Sequence, residues 1–478
     1  MDNRKSGSTG GWSRRALLGS AAAVAACSTL PGTASAQKPV KPKAGARVNV
    51  AAIGAGGKGA DDMAALTGQN VVAICDVEFG RVGRQMLDKE GKVKPEREAL
   101  KAAYDKAEQF SDYRQMFDKR KDIEAVVIAT PDHHHAVAAR MAMERGIHVY
   151  VQKPLTYTIR ESRLLTDLAA KNPALVTQMG NQGHSSDDGR RAVELLRGGA
   201  IGRVNEVHIW TNRPVWPQGV GKPEAKPVPA GLDWDKWLGP ANVDWGYHPD
   251  YAHFNWRGWT PFGTGALGDM GAHLMDFPVW ALETGLPTRA ETHHTLWGGD
   301  TDPWDYKRPE VLTSYPLGSV IYYEFGNAKG GPVKLTWYDG GLAPPSVRNL
   351  PVGRIMEEEG GVLYIGDKGQ LLHDTYGSKP TLIGEEAVAR GAKIPVSLPR
   401  IIDGTKGHQM NWIRAIRGEE KISNPFEVSG PLTESMLMGV VALNADTPII
   451  YDGVAGRITN NEAANALLDR QYRKGWEL

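Results

Sequence analysis

Short, nearly unbroken apolar runs mark the first part of the chain, the pattern of strands buried on both faces. Residues 48–53 form the first, bounded by glycine, and residues 71–75, 123–129, 146–151 and 175–179 follow. A helical stretch separates the first two, from Ala60 to Leu66. Beyond residue 200 the runs are spaced by turn residues. Residues 204–210, 288–296, 319–325, 333–338, 361–365 and 369–373 read as strands of a second region. Residues 408–417 and 432–444 read as helices. No internal repeat or low-complexity tract interrupts this order.

The chain is 478 residues long, enough for two or three domains. Lys+Arg 56 against Asp+Glu 55 leaves a net charge of +1, so no basic field points to nucleic acid. Fourteen Trp against 8 Phe favour flat rings with one donor, which suit a carbohydrate face as well as a core. At the start, Arg14-Arg15 precede the apolar run 16–26, and Ala34-Ser35-Ala36 offers a small-residue cut. This resembles a twin-arginine export leader over 1–36, and an ordinary secretion signal is the alternative. Export to the periplasm is expected on either route. A second cut, before Cys27, would leave a lipidated protein. No later segment is apolar for the length a membrane span needs. Past the leader only Cys75 remains, so no intrachain disulfide is available.

The first apolar run leads into Gly54-Ala55-Gly56-Gly57-Lys58-Gly59, a G-x-G-x-x-G between a strand and a helix. Such a loop turns tightly and brings backbone N–H groups to a pyrophosphate at the helix start. Asp76 closes the next strand, 22 residues after Gly54. A carboxylate there can hold ribose hydroxyls and repels a 2′-phosphate, which favours NAD over NADP. Lys58 and Arg81 leave some room for NADP. The next two predicted strands end in Thr130-Pro131-Asp132-His133-His134-His135 and Gln152-Lys153-Pro154. Functional groups of such sheets collect at these carboxyl ends. Three successive histidines point in different directions and do not readily close on one metal ion, so no metal is expected.

Together with Gly263-Thr264-Gly265-Ala266-Leu267-Gly268-Asp269-Met270-Gly271-Ala272-His273, these motifs resemble the Gfo/Idh/MocA oxidoreductases. Thr130-Pro131…His135 matches the family's T-P-N-x-x-H, Lys153-Pro154 its E-K-P, and Asp269…His273 its D-x-x-x-H. Asp132 departs from the Asn and Gln152 from the Glu of those motifs. The resemblance implies an α/β protein: an N-terminal Rossmann domain followed by an α+β domain with an open, mostly antiparallel sheet. We place a linker at 37–45, the Rossmann domain at 46–165, the substrate domain at 166–445, and a tail packing on the body at 446–478.

The resemblance also implies roles. Lys153 would stabilise a developing alkoxide, His273 would take the hydroxyl proton, and Asp269 would steer the His273 tautomer. Gly54, Gly56, Gly57, Lys58, Gly59, Asp76, Thr130, Pro131, His135, Gln152, Lys153 and Gln182 would hold NAD. His184, Arg213, Trp216, Trp256 and Arg257 would meet the substrate, although Trp packing in a proline-rich loop is the bland alternative. The expected function is hydride transfer at a ring carbinol of a sugar, glycoside or cyclic polyol. A redox-neutral glycosidase or lyase working through a 3-keto sugar is the second reading, with His184 or His135 as its base. A non-catalytic sugar-binding protein is the third. A tightly retained NAD, a carbohydrate substrate and a homo-oligomer complete the expectation.

Overall fold

A computed structural model describes residues 38–295, 304 and 312–478. The leader features at Arg14-Arg15, Cys27 and Ala34-Ser35-Ala36 lie outside the described residues, as does the end of the strand predicted over 288–296.

Six strands form a parallel sheet: β1 (Asn49–Ile53), β2 (Asn70–Cys75), β3 (Glu108–Phe110), β4 (Ala125–Ile128), β5 (His148–Val151) and β6 (Thr177–Met179). Their order is β3-β2-β1-β4-β5-β6, with the chain reversing its direction of travel between β1 and β4. Such a reversal opens a crevice at the carboxyl ends of the strands. β4 and β5 are buried along their whole length, as their unbroken apolar pattern requires. Because β6 belongs to this sheet, the first domain extends past the boundary drawn at residue 165.

The second sheet has nine strands: β7 (Val204–Thr211), β8 (Arg289–His294), β9 (Ser319–Phe325), β10 (Val333–Tyr338), β11 (Gly360–Gly366), β12 (Gly369–Asp374), β13 (Thr381–Ile383), β14 (Ile449–Asp452) and β15 (Arg457–Ile458). Their order is β13-β12-β11-β7-β10-β9-β8-β14-β15, and every neighbouring pair except β7–β10 is antiparallel. β9 alternates cleanly: Ser319, Ile321, Tyr323 and Phe325 face the core, while Tyr322 and Glu324 face out. The helix Phe426–Ala445 covers the core side, and Tyr323 donates its hydroxyl to Met436 O at 3.0 Å.

That helix starts six residues before the expected Leu432, because Pro431 reads in sequence as a break. Here the extra turn is fastened from outside: Phe426 N–H donates to Thr177 Oγ1 at 3.1 Å. The last helix before it, His408–Arg417, crosses back to the parallel sheet. Trp412, Ile413 and Ile416 fill the same core as Val48, Val50 and Ala52. Trp412 donates its indole N–H to Val176 O at 3.1 Å. The final segment also joins the body: β14 pairs with β8, and Trp476 is buried edge-on against Tyr113.

Candidate active site

The glycine loop follows β1 and opens the helix Gly57–Ala64. Close packing fixes two of its glycines. A Cβ on Gly54, at φ +79°, would sit 2.6 Å from Ala129 O, and one on Gly59 would sit 1.8 Å from Gly54 O. Asp76 Oδ2 accepts from Ala55 N–H at 2.9 Å and Gly56 N–H at 3.3 Å, so the carboxylate that closes β2 also shapes the loop.

A cleft of about 590 Å³ runs from this loop to the second sheet. Gly54, Gly56, Gly57, Lys58, Asp76, Thr130, Pro131, Gln152, Lys153 and Gln182 line it on the first side. Arg213, Trp216, Trp256, Arg257, Asp269 and His273 line it on the other. Most of the expected site residues are thus brought together.

Three are not on the cleft wall. Gly59 lies behind the loop it packs. His135 Nδ1 is 2.8 Å from Pro154 O and Nε2 is 2.9 Å from Thr130 O, so the ring sits between two strand ends and its one N–H donates to one of the two carbonyls. Burial lowers it to about 4. His184 is buried, with Nδ1 2.9 Å from both oxygens of Asp276 and its ring stacked on Trp280. Neither histidine is placed to serve as a base for a bound sugar, contrary to the expectation. His133 has its ring nitrogens 3.1 Å from Phe262 O and 3.1 Å from Trp237 O, of which its single N–H can serve one, and His134 Nε2 lies 2.9 Å from Trp237 O.

The helix Gly265–Leu274 carries both Asp269 and His273, but they do not meet as expected. Asp269 Oδ1 accepts from Lys153 Nζ at 2.7 Å and from Arg257 Nε at 2.8 Å. Two cations outcompete a neutral imidazole for one carboxylate. Burial alone would raise the Asp269 carboxyl, yet Lys153 and Arg257 overcome it and hold it well below the usual range. Lys153 also donates to Asp269 O at 2.8 Å. An ammonium has three N–H donors, so one is left for the cleft. Burial pulls the Lys153 ammonium below its ordinary value, with Asp269 opposing.

His273 is buried, and burial, aided by the Lys153 charge, pushes it far below its ordinary value. The ring is therefore neutral. Among the described residues its buried Nδ1 has no hydrogen-bond partner, and its face meets Tyr376 edge-on with centroids 4.8 Å apart. Thr130 Oγ1 is likewise unpartnered.

Several wall residues escaped the sequence reading. Tyr376 holds a left-handed backbone at φ 65° behind β12, and nothing in its sequence neighbourhood signals this. His253, in the stretch that also carries Trp256 and Arg257, lines the cleft and reaches Glu78 Oε2 at 2.6 Å. Lys236, whose ammonium donates to Ser111 Oγ at 2.9 Å, and Trp476 wall the end beyond Asp76. Beneath the loop lies Asp62, fully buried. It accepts from Lys58 Nζ at 2.7 Å, Gln152 Nε2 at 2.6 Å and Gln409 Nε2 at 2.7 Å. Gln152 thus faces a carboxylate rather than being one.

The donor set fits a dinucleotide. The glycine cradle, the helix start and the Asp76 carboxylate suit the pyrophosphate and ribose. The His273 ring and the spare Lys153 N–H lie at the far end, where a carbinol would lie.

Residues 48–179 match the profile described as "Oxidoreductase family, NAD-binding Rossmann fold" of the Gfo/Idh/MocA group. Residues 201–286 match the companion "C-terminal alpha/beta domain". A glycosyl hydrolase family 109 protein of Saccharopolyspora erythraea is 29% identical over 210 residues, 40% of this chain and 44% of that one. A levoglucosan dehydrogenase of Pseudarthrobacter phenanthrenivorans is 29% identical over 207 residues, 40% of this chain and 45% of that one. The matched stretches thus span under half the length of these curated relatives. In three dimensions the chain is similar to the WlbA dehydrogenase of Bordetella pertussis, whose structure holds NADH and UDP-GlcNAcA. The TM-score is 0.55 at 15% identity, covering 85% of this chain and 99% of that one.

Proposed function

We propose that this chain, two stretches of which match the Gfo/Idh/MocA oxidoreductase profiles, binds NAD in this cleft and transfers a hydride at a ring carbinol of a sugar, glycoside or cyclic polyol. The observation that carries the reading is the pairing of a spare Lys153 N–H with an unpartnered, neutral His273 on one wall. When bound, NAD supplies the hydride acceptor. The carbinol oxygen accepts from Lys153 while its proton passes to the His273 imidazole, so charge developing on oxygen meets a fixed ammonium. Asp269 holds that ammonium rather than the imidazole. Asp76 disfavours the additional phosphate of NADP.

The relatives' names divide between a dehydrogenase and a glycosyl hydrolase. A redox-neutral cleavage through a 3-keto sugar is therefore the second reading. A C3 ketone acidifies the C2 proton, but the base for it must come from the cleft wall, not from His135 or His184. Exported protein leaves the cytoplasmic NAD pool behind. Export by the twin-arginine leader, or lipidation at Cys27, therefore goes with a retained cofactor, and a homo-oligomer belongs to the same reading.

The test is a glycoside panel with Lys153→Ala and His273→Ala. Each substitution should lower turnover by ~10²–10⁴-fold while the folded protein still holds NAD. Full activity in either variant removes that residue from the mechanism. Turnover in deuterated water separates the readings: deuterium at C2 marks elimination, and its absence leaves simple hydride transfer.

A further inference from the structure

The charges along the cleft are distributed unevenly. Around the glycine loop and beyond, Lys58, Arg81 and Lys236 stand against Asp61, Asp76 and Asp112. At the far end, among the described residues that line the cleft, Lys153, Arg213 and Arg257 stand against Asp269. That one carboxylate uses a single oxygen for both Lys153 and Arg257. Asp132 lies behind this wall, where burial pushes its carboxyl up although Thr264, Arg257 and Lys153 favour its charged form.

Arg257 is held for a purpose beyond packing. Its guanidinium lies 4.3 Å from the Trp256 ring centroid, 4.7 Å from Phe254 and 5.9 Å from Trp216. Its Nη1 donates to Phe254 O at 2.9 Å, and its side chain is only 19% exposed. Rings on several sides fix the plane of the cation and exclude water from it. Arg213 enters the same end of the cleft. Its one acidic neighbour is Glu359 at 3.8 Å, on a carboxylate 64% exposed, a solvent-screened pair of little strength. Its other guanidinium contact is Asn212 Oδ1. Two guanidinium groups thus line a partly dry cavity, one paired with an Asp269 that Lys153 shares and the other with a solvent-screened Glu359. Such an excess is costly unless something negative enters.

We propose that the substrate is an anionic carbohydrate, with a ring carboxylate seated between Arg213 and Arg257. This rests on the hydride-transfer reading and names its substrate class. A planar guanidinium meets a carboxylate through two parallel N–H bonds, which orients the ring as well as binding it. Lys153 and His273 are then left to the reacting carbinol.

The test uses the full-length protein with NAD added in excess and three matched sugars: methyl glucoside, methyl glucuronide and methyl glucoside 6-phosphate. Reduction of the dinucleotide is followed by absorbance. The glucuronide is expected to exceed the neutral glucoside in kcat/KM by roughly ten- to a hundredfold, the range of a hydrogen-bonded charge. Arg213→Gln should remove most of that ratio through KM. Arg213→Lys, which keeps the charge and loses the fork, should fall between. A preference for the 6-phosphate would uphold the anion site and replace the carboxylate by a phosphate. A neutral glucoside as good as both acids refutes the proposal while leaving hydride transfer standing. So does a folded, loaded Arg213→Gln that keeps the wild-type ratio. No reduction by any of the three overturns the hydride-transfer reading beneath it.

Discussion

Asp269→Asn removes a charge while keeping the shape of the side chain. In the native site Asp269 Oδ1 lies 2.7 Å from Lys153 Nζ and 2.8 Å from Arg257 Nε. Both partners of the Lys153 pair are about nine-tenths buried. At an effective dielectric of about 20, unit charges some 4 Å apart attract by about 4 kcal/mol. Breaking one side of a buried pair typically costs about 3–5 kcal/mol, which agrees. The relief open to the variant is loss of the Lys153 proton, since burial already lowers that ammonium and Asp269 is the main influence opposing it. About 4 kcal/mol corresponds to nearly a thousandfold in proton affinity. Rearrangement of Arg257 reduces this, so we expect ten- to a thousandfold. The sign follows from the role: the protonated amine stabilises the oxygen, so activity is lost above its titration. The alkaline limb of kcat/KM should therefore move to lower pH in Asp269→Asn. The assay is a pH profile of dinucleotide reduction on protein whose far-UV spectrum and cofactor content match the wild type. An alkaline limb that stays in place would refute the view that Asp269 sustains the Lys153 charge.

Three further outcomes follow from the same geometry. Asp76→Ser should relax the preference for NAD, and titration with both dinucleotides should show NADP gaining relative to NAD; unchanged preference dissociates Asp76 from the choice. Gln152→Glu would set a second carboxylate against buried Asp62, at a contact now 2.6 Å long, and should lower the melting temperature by the equivalent of ~3–5 kcal/mol; adding Asp62→Asn should restore most of the loss, and no coupling between the two would contradict the pairing. Glu194 is held at about 2 despite burial, because Arg400 and the amides of Leu398 and Ser397 favour its charged form. Its contribution is complete above the unfolded carboxyl value near pH 4.5 and is lost as pH falls toward 2. Acid unfolding of Glu194→Gln should therefore be shallower over that window, and identical curves would dismiss the group.

The central strands and the glycine loop are legible because their signal is local: apolar runs and glycines declare themselves within a few residues. β9 and β10 match the predicted ranges for the same reason. β3 is three residues, Glu108–Phe110, two of them polar, and becomes a strand only by pairing with β2. The start of the helix Phe426–Ala445 lies ahead of Pro431 and is fastened by a contact from Thr177, distant in sequence. Within the site, the residue types at 153, 269 and 273 could be read, but not their pairing. A spacing of four residues made Asp269 and His273 neighbours on one helix face, while the cation that captures Asp269 comes from the end of β5. Tyr376 and Asp62 had no signal at all: one owes its place to backbone strain, the other to a buried hydrogen-bond network.

The helix His408–Arg417 bears on how the gene can be cut. A fragment ending at Met179 would carry all six parallel strands and still leave Val48, Val50 and Ala52 without the Trp412, Ile413 and Ile416 that share their core. It would also strip Gln409 from Asp62 and leave the indole site at Val176 O vacant. Read as heredity rather than as anatomy, the nucleotide module is discontinuous. Recombination that exchanges the first half of this gene with a cousin's must bring the cousin's late helix with it. Otherwise the hybrid inherits a sheet whose covering was written for a different surface.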